Sequence, residues 1–319
     1  MRTLPAVLTM LSLAVGATGS LAAGPAAASI GAPPRAVEAN TTAAANCRIV
    51  VGSATAGGYH VRTPITSTTP PVIGTSTYQP HTYPSGWVRL STTFNNWPKA
   101  SGKEARYGWF VHGDTLYTHH YGLKNGAPDP ALPAKYTKLG GGWGPYSALE
   151  VSNYYRGQTL ARQTAYALRT DGTLRRWSIS STGKWTPTGA ATGFSAVRSI
   201  ALISRTATYD TFIANLRGGA LYTIHLPTTA PLKPVVKQVR TTGWGEFEQL
   251  VAATCGKGSL VIGVDRQSKY GQLYAVGHAT GLSTPIKHLG ELDALMFRTP
   301  DPAFFRWTDN PPTDALAGE

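Results

Sequence analysis

Residues 141–150 read GGWGPYSALE, and residues 242–251 read TGWGEFEQLV. Both segments follow the pattern Gly-Trp-Gly-x-aromatic-x-x-Leu, which begins at Gly142 in the first copy and at Gly243 in the second. A pattern of this length that recurs in one chain indicates an internal repeat, and the period of a repeat restricts the architecture. The fold therefore depends on how many copies the chain holds and on what each copy contains.

Three weaker copies extend the repeat. Gly193-Phe194 is equivalent to Gly142-Trp143, GWVRLSTTF begins at Gly86, and LGELDALMF puts Leu289 where the other copies have an aromatic residue. The repeats therefore start near residues 86, 142, 193, 243 and 288. In the three central copies, large apolar residues follow three and six places after the aromatic residue: Tyr146 and Leu149, Val197 and Ile200, Phe247 and Leu250.

The interior of each copy has the pattern of a β-hairpin. Residues 164–179 read TAYALRT-DG-TLRRWSI, and residues 211–226 read TFIANLR-GG-ALYTIHL. Asp-Gly and Gly-Gly between alternating runs are strong signals for tight hairpin turns. A further extended piece, such as PVVKQVRTT, leads into the next copy. Four strands in about 50 residues are typical of a propeller blade, so the chain is predicted to be an all-β propeller of four-stranded antiparallel blades.

The fifth copy is short, and the N-terminal strands are predicted to complete it. Its first strand is expected in LDALMFR at 292–298, and its second to fourth strands in CRIVVGS, YHVRTP and VIGTSTYQ, which lie within residues 47–79. Five blades would then close a ring without a large exposed sheet edge. The segment AFFRWTD at 303–309 is an alternative second strand.

The two cysteines, Cys47 and Cys255, are predicted to form a disulfide. A lone pair of cysteines in a secreted chain favours one bridge over two free thiols. In the five-blade assignment, both residues fall beside equivalent turns of adjacent blades. The bridge is therefore also expected from the predicted fold.

The first residues have the pattern of a secretory signal. Arg2 precedes an apolar run and small residues, and Ala26-Ala27-Ala28 satisfies the A-x-A cleavage preference. Residues 1–28 are therefore predicted to be a signal peptide, and 29–45 a disordered Ala/Pro/Thr-rich lead-in. The propeller domain is expected over 46–319. No segment approaches the length of apolar sequence that a membrane span needs.

The chain is basic, with a formal net charge of +13. Such a surface attracts acidic partners. The basic residues are dispersed, however, without a run rich in Lys and Arg. This distribution predicts general adhesion and solubility, and it argues against sequence-specific recognition of nucleic acid.

The repeated Gly-aromatic pair has two interpretations. A large ring at the start of each blade would pack between neighbouring sheets, while the preceding glycine allows a sharp bend. Alternatively, an exposed ring face would stack on the C–H face of a sugar. The candidate ligand contacts are Trp87, Trp143 and Trp244, together with Asp171, which either binds a sugar hydroxyl or stabilises its own turn.

The segments GGWGPYSALEVS and TGWGEFEQLVAA, followed by a glycine turn and YALRTDGTL or QLYAVGH, resemble the tachylectin family of lectins. The resemblance covers residues 86–298. It implies a five-bladed propeller that binds N-acetylated amino sugars, with one site per repeat. The chain departs from the family pattern in the inserted stretches NNWPKASGKEARYG and NYYRGQTLARQ, and in Phe194 and Leu289.

Catalytic patterns are weak. Hydrolysis of glycosides needs two carboxylates across a cleft, whereas Glu246 and Glu248 alternate along a predicted strand and so point to opposite faces. The chain lacks a G-x-S-x-G motif, and His119-His120 is expected at a solvent-facing strand end rather than in a metal site. No catalytic residue, metal or cofactor is predicted.

The sequence thus predicts a secreted, monomeric lectin-like protein, free or retained at the cell wall. Its partners would be cell-surface or cell-wall glycans, bound through several weak, similar sites whose combined avidity is useful on a dense surface. The first alternative is a propeller scaffold for protein–protein contacts without sugar specificity. The second is a glycoside hydrolase.

Overall fold

A computed structural model of the protein describes residues 47–79, 82–293 and 303–319. The predicted signal peptide and lead-in lie outside these residues. The described part holds two short 3-10 helices, Gly281–Ser283 and Pro311–Thr313. Its strands are β1 (Arg48–Ala54), β2 (His60–Thr66), β3 (Val72–Ile73), β4 (Thr77–Gln79), β5 (Leu90–Ser91), β6 (Phe94–Pro98), β7 (Lys103–His112), β8 (Thr115–Lys124), β9 (Ala127–Pro128), β10 (Lys135–Gly140), β11 (Tyr146–Arg156), β12 (Thr159–Arg169), β13 (Leu174–Ile179), β14 (Trp185–Ala191), β15 (Val197–Arg205), β16 (Tyr209–Leu216), β17 (Leu221–Pro227), β18 (Val235–Arg240), β19 (Gln249–Cys255), β20 (Gly258–Asp265), β21 (Tyr270–Val276), β22 (Ile286–Leu292) and β23 (Ala303–Asp309).

Three of the predicted repeats are four-stranded antiparallel sheets with neighbouring strands in chain order. They consist of β11 to β14, β15 to β18 and β19 to β22. The remaining strands form one eleven-stranded sheet, in which two antiparallel halves meet where β6 and β23 run parallel. The described chain is therefore all-β, and its four-stranded sheets are consistent with a propeller. The larger mixed sheet was not predicted.

The innermost strands contact one another in a closed circle. β5 contacts β11, β11 contacts β15, β15 contacts β19, β19 contacts β23, and β23 contacts β5. Apolar side chains fill the spaces between sheets; one such core contains Ile203, Ile213 and Trp244. Packing between neighbouring sheets thus holds the five strands of the circle together.

The N-terminal strands pair with a segment from the other end of the chain, but not with the segment that was predicted. β1 and β2 are the predicted second and third strands, and the predicted fourth strand is the short pair β3 and β4. β1 pairs on its other side with β23, where Val51 lies opposite Arg306. The segment 303–309 therefore has the first-strand position. Residues 294–298, where that strand was expected, lie outside the described residues.

The predicted repeat start near 288 falls inside a strand. Leu289 is buried in β22, the last strand of its own sheet, where Leu292 pairs with Gly271. The segment LGELDALMF resembles a repeat start because Leu289 and Leu292 are spaced like the large apolar residues of the other copies. In the structure, that spacing belongs to β22 and its two buried leucines.

The predicted disulfide is confirmed. Cys47 and Cys255 are bonded with their Cα atoms 5.4 Å apart, within the range that disulfides require. Cys47 precedes β1 and Cys255 ends β19, so the bond joins two neighbouring sheets that are distant in sequence. No helix in the described part of the chain has the length and apolar character needed to cross a membrane.

Candidate functional site

The aromatic rings of the central repeats are buried between sheets. Trp143 and Phe194 are each 8% exposed, and Trp244 is 4% exposed. Each preceding glycine has a positive φ, as the sharp bend requires: 86° at Gly142 and 90° at Gly243. The ring centroids of Trp143 and of Trp177 on β13 lie 5.5 Å apart. Those of Trp244 and of Tyr274 on β21 lie 4.6 Å apart.

Hydrogen bonds hold the same loops in place. The amide of Trp143 donates to the carbonyl of Asp114, and that of Trp244 donates to the carbonyl of Gly219, both at 3.0 Å. Side chains bind the carbonyls of these loops as well. Arg89 donates to the carbonyls of Trp143 and Tyr146 at 2.6 Å, and Asn215 makes the equivalent bonds in a later repeat, to the carbonyls of Trp244 and Phe247. These contacts support the interpretation in which the repeated aromatic residue packs between sheets.

The other two predicted ligand contacts are more accessible. Trp87 is half-buried, and its ring stacks on that of His112 with the centroids 4.5 Å apart. Asp171 is exposed; its carboxylate accepts from the amide of Thr173 and from the Nε of Arg169, both at 2.9 Å. The bond from Thr173 is the main reason that the pKa of Asp171 is lowered. Asp171 therefore stabilises its own turn, which is the second of its two interpretations.

The prediction that His119 faces solvent is wrong. Its side chain is fully buried on β8 among aromatic rings, with the ring of Tyr83 4.5 Å away and that of Tyr136 5.0 Å away. His120 points to the other face, because successive residues of a strand alternate. Burial lowers the pKa of His119 to about 3. His60, in the same cluster, also has a pKa well below its usual value because of burial.

These histidines make stability depend on pH. Since the pKa of His119 is about 3 when folded and 6.5 when unfolded, the unfolded chain binds more protons between these values. The contribution of the neutral His119 to the free energy of unfolding is therefore fully present well above pH 6.5. It decreases as the pH falls, by about 2 kcal/mol from pH 7 to pH 5. We expect His119→Phe to flatten this slope in urea unfolding at several pH values.

His278→Gln is the matched control, because it removes an exposed histidine without disturbing the core. An equally steep slope in His119→Phe would show that His119 does not titrate in this way.

Two cavities adjoin the circle of innermost strands. The first, of about 320 Å³, lies where β5, β11, β15 and β19 begin, and we call it the arginine cavity because Arg89, Arg198, Arg266 and Arg306 line it. The second, of about 490 Å³, lies where β11 and β15 end. We call it the tyrosine cavity. Its aromatic lining residues are Tyr154, Tyr155 and Tyr209.

The inserted stretches supply much of the aromatic surface around the tyrosine cavity. Tyr154 and Tyr155 end β11 in the insertion NYYRGQTLARQ, and the pairing with β12 shifts register between them. Such irregularities redirect side chains at the end of a strand. Trp97, from the other insertion, packs edge-on against Tyr155 with the ring centroids 6.0 Å apart. The two inserted stretches therefore contact each other in the structure.

Residues 312–319 form another wall of the tyrosine cavity. The hydroxyl of Tyr209 donates to the main-chain oxygen of Glu319 at 3.0 Å. Arg205 and Arg306 both donate to the buried carboxylate of Asp314, at 2.8 and 2.9 Å. Burial opposes ionisation of Asp314, but the two guanidinium charges outweigh it and lower its pKa. These charged groups are thus paired with one another, and Lys257 and His278 also line the cavity.

The tyrosine cavity has the chemistry of a site for a neutral polar ligand. Its volume lies in the usual range for ligand pockets, which are mostly apolar with a few polar groups that orient the ligand. Rings that are only partly buried can offer a face to C–H groups, while hydroxyl and carboxylate oxygens accept from ligand hydroxyls. Among the described residues, no group of three or more His, Cys, Asp or Glu side chains is placed to bind a metal ion.

Glu246 and Glu248 do not form a catalytic pair in the structure. Glu248 makes a 2.9 Å ion pair with Arg198 and accepts from the amide of Arg266 at 2.8 Å. Glu246 is exposed in the loop before β19, and it does not line either cavity. The two carboxyl groups therefore have different surroundings.

No protein-family model matches the chain, and no curated protein matches it. The solved structures that resemble the chain include two enzymes and a lectin. An α-L-arabinofuranosidase from Podospora anserina in complex with cellotriose is 10% identical, with 69% of this chain and 73% of that chain covered and a TM-score of 0.43. The catalytic domain of a GH62 α-L-arabinofuranosidase from Coprinopsis cinerea is 11% identical, with 68% and 73% covered and a TM-score of 0.42.

The third is an Aleuria aurantia lectin variant in complex with Fucα1-6GlcNAc. It is 14% identical, with 78% of this chain and 80% of that chain covered and a TM-score of 0.44. At these identities and TM-scores, the similarity says nothing about the activity of this chain.

Proposed function

We propose that this protein is a secreted five-bladed β-propeller that binds neutral glycans in its tyrosine cavity. The single observation that supports the location best is the convergence of Tyr154, Tyr155 and Tyr209 on one concave space of about 490 Å³. Five blades follow if the two halves of the eleven-stranded sheet count as separate blades. The closed circle of five innermost strands supports that count.

The sequence-predicted contacts define an alternative location for the ligand. Trp87, Trp143, Trp244 and Asp171 lie where the innermost strands begin, whereas the tyrosine cavity lies where β11 and β15 end. The burial of Trp143 and Trp244 favours the tyrosine cavity, because rings packed on both sides have no face left for a sugar. Among these residues, Trp87 remains the best candidate for a contact outside the cavity.

The glycan itself is proposed from two arguments. Charged groups that pair with one another, such as Asp314 with Arg205, leave no strong preference for an anionic ligand in the tyrosine cavity. The resemblance to the tachylectins implies an N-acetylated amino sugar, whose methyl group would suit an aromatic wall. We propose cell-surface or cell-wall glycans that carry such sugars as the natural ligands, and a monomer as the binding unit.

A glycan array tests the proposal. Residues 29–319 are applied at physiological ionic strength, which screens the positive charge of the surface. We expect selective binding that a free N-acetylated amino sugar competes away. A blank array would overturn glycan binding for the printed sugars and favour a scaffold for protein contacts. Binding to every anionic glycan that disappears as salt increases would show that net charge alone is responsible.

A further inference from the structure

The arginine cavity differs from the tyrosine cavity in its charge. Four arginines line it, against the two carboxylates of Glu150 and Glu248. Arg198 pairs with Glu248 at 2.9 Å, and Arg306 pairs with Asp314. The cavity is therefore lined by more cationic than anionic side chains, which makes it electropositive.

Arg89 contributes a positive charge to this cavity, and the carboxylate of Asp114 is the anionic group that acts on it. Its guanidinium donates to three carbonyl oxygens, those of Gly113, Trp143 and Tyr146. Carbonyl oxygens orient a guanidinium but do not neutralise it. Burial lowers the pKa of Arg89, which reflects the cost of removing its charge from water, and the carboxylate of Asp114 opposes that shift. An anion in the cavity would offset that cost.

Glu150 is the second unusual group in the cavity. Its carboxyl oxygens accept from the amide and hydroxyl of Thr93 and from the amide of Val151, at 2.8 to 3.0 Å. Burial raises its pKa, although these bonds and the charge of Arg306 oppose the shift. Three donors therefore already bind the carboxyl oxygens of Glu150 and disperse its negative charge.

The remaining wall of the cavity is main chain. Residues 147–150 of β11 and 198–202 of β15 line it, and each of these strands pairs on only one side within its sheet. The unpaired edge of a strand presents N–H and C=O groups in a row. Such groups can pair with several hydroxyls at once, which a simple inorganic anion does not carry.

We propose that the arginine cavity binds a carboxylate-bearing sugar, a hexuronate, as a second site independent of the tyrosine cavity. The carboxylate would lie toward Arg89 and Arg266, and the hydroxyls toward the strand edges. The volume of about 320 Å³ is at the lower end of the range for ligand pockets, which limits the ligand to about one sugar unit.

Isothermal titration of the folded protein with sodium glucuronate tests this proposal, with glucose and sodium sulfate as comparison ligands at constant ionic strength. We expect binding of glucuronate only. Arg266→Gln should weaken it about tenfold, the usual effect of losing one charge-assisted hydrogen bond. The control Lys233→Gln removes an equal charge from an exposed position outside the cavity and should not change the affinity.

The possible outcomes separate the two sites. Tyr155→Ala should leave glucuronate binding intact, and Arg266→Gln should leave neutral glycan binding intact. Equal binding of sulfate would reduce the cavity to a nonspecific anion site and overturn the proposal, as would equal binding of glucose. If Arg266→Gln does not fold, Arg198→Gln serves in its place, and unchanged affinity in a folded variant would also overturn the proposal.

Discussion

Replacing both cysteines, by Cys47→Ala with Cys255→Ala, is expected to lower the free energy of unfolding by about 5 kcal/mol. The bond joins residues 208 positions apart, so it removes a large amount of conformational freedom from the unfolded chain. It also ties β1, which helps to complete the last sheet, to the neighbouring β19. The measurement is urea unfolding of the oxidised protein and the double variant under identical conditions.

The oxidised protein treated with a reductant is the control for the alanine substitutions themselves. Reduced wild type and the double variant should unfold at nearly the same urea concentration. A loss below about 1 kcal/mol in both would contradict the entropic account, because it would mean that the unfolded chain is hardly constrained by the bond.

Trp143→Ala is expected to destabilise the protein by about 3 to 5 kcal/mol, the usual cost of truncating a buried tryptophan. The ring belongs to a core shared by two neighbouring sheets, which also contains Trp109 of β7. On the other sheet, the rings of Tyr146 and Trp177 lie 4.8 and 5.5 Å away between centroids. Truncating the ring therefore leaves a large cavity among these side chains. The change is measured by urea unfolding monitored by circular dichroism.

Tyr270→Ala is the matched control, because Tyr270 is an aromatic residue on the surface and 37% exposed. It should cost less than about 1 kcal/mol. If Trp143→Ala costs no more than Tyr270→Ala, the Gly-Trp repeat does not serve the packing between sheets, and its role as a ligand contact regains support.

The local parts of the fold could be predicted from the sequence. Hairpin turns such as Asp171-Gly172 depend on neighbouring residues, so the four-stranded sheets were predictable. The disulfide followed from equivalent positions in two repeats. The parallel pairing of Phe94 with Trp307 was not predictable, because it joins segments from opposite ends of the domain that carry no local signal for each other.

The same distinction applies to the candidate site. The insertion with Tyr154 and Tyr155 was visible as a departure from the repeat, but its meeting with Trp97 and Tyr209 depends on the closure of the whole ring. The alternation of side chains along a strand does not show which of His119 and His120 faces the core, because either choice is compatible with a strand. The Leu289 pattern misled because strands and repeat starts share the same spacing of apolar residues.

The most direct test of the central claim is calorimetric titration of the glycan that the array selects into four proteins: wild type, Tyr155→Ala, Tyr155→Phe and Trp87→Ala. If the glycan binds in the tyrosine cavity, Tyr155→Ala weakens binding by about tenfold or more. Tyr155→Phe and Trp87→Ala then bind like wild type, because the first keeps the ring and the second changes the other end of the strands. Loss of binding in Trp87→Ala with none in Tyr155→Ala would contradict the account and place the ligand at the Gly-Trp repeats.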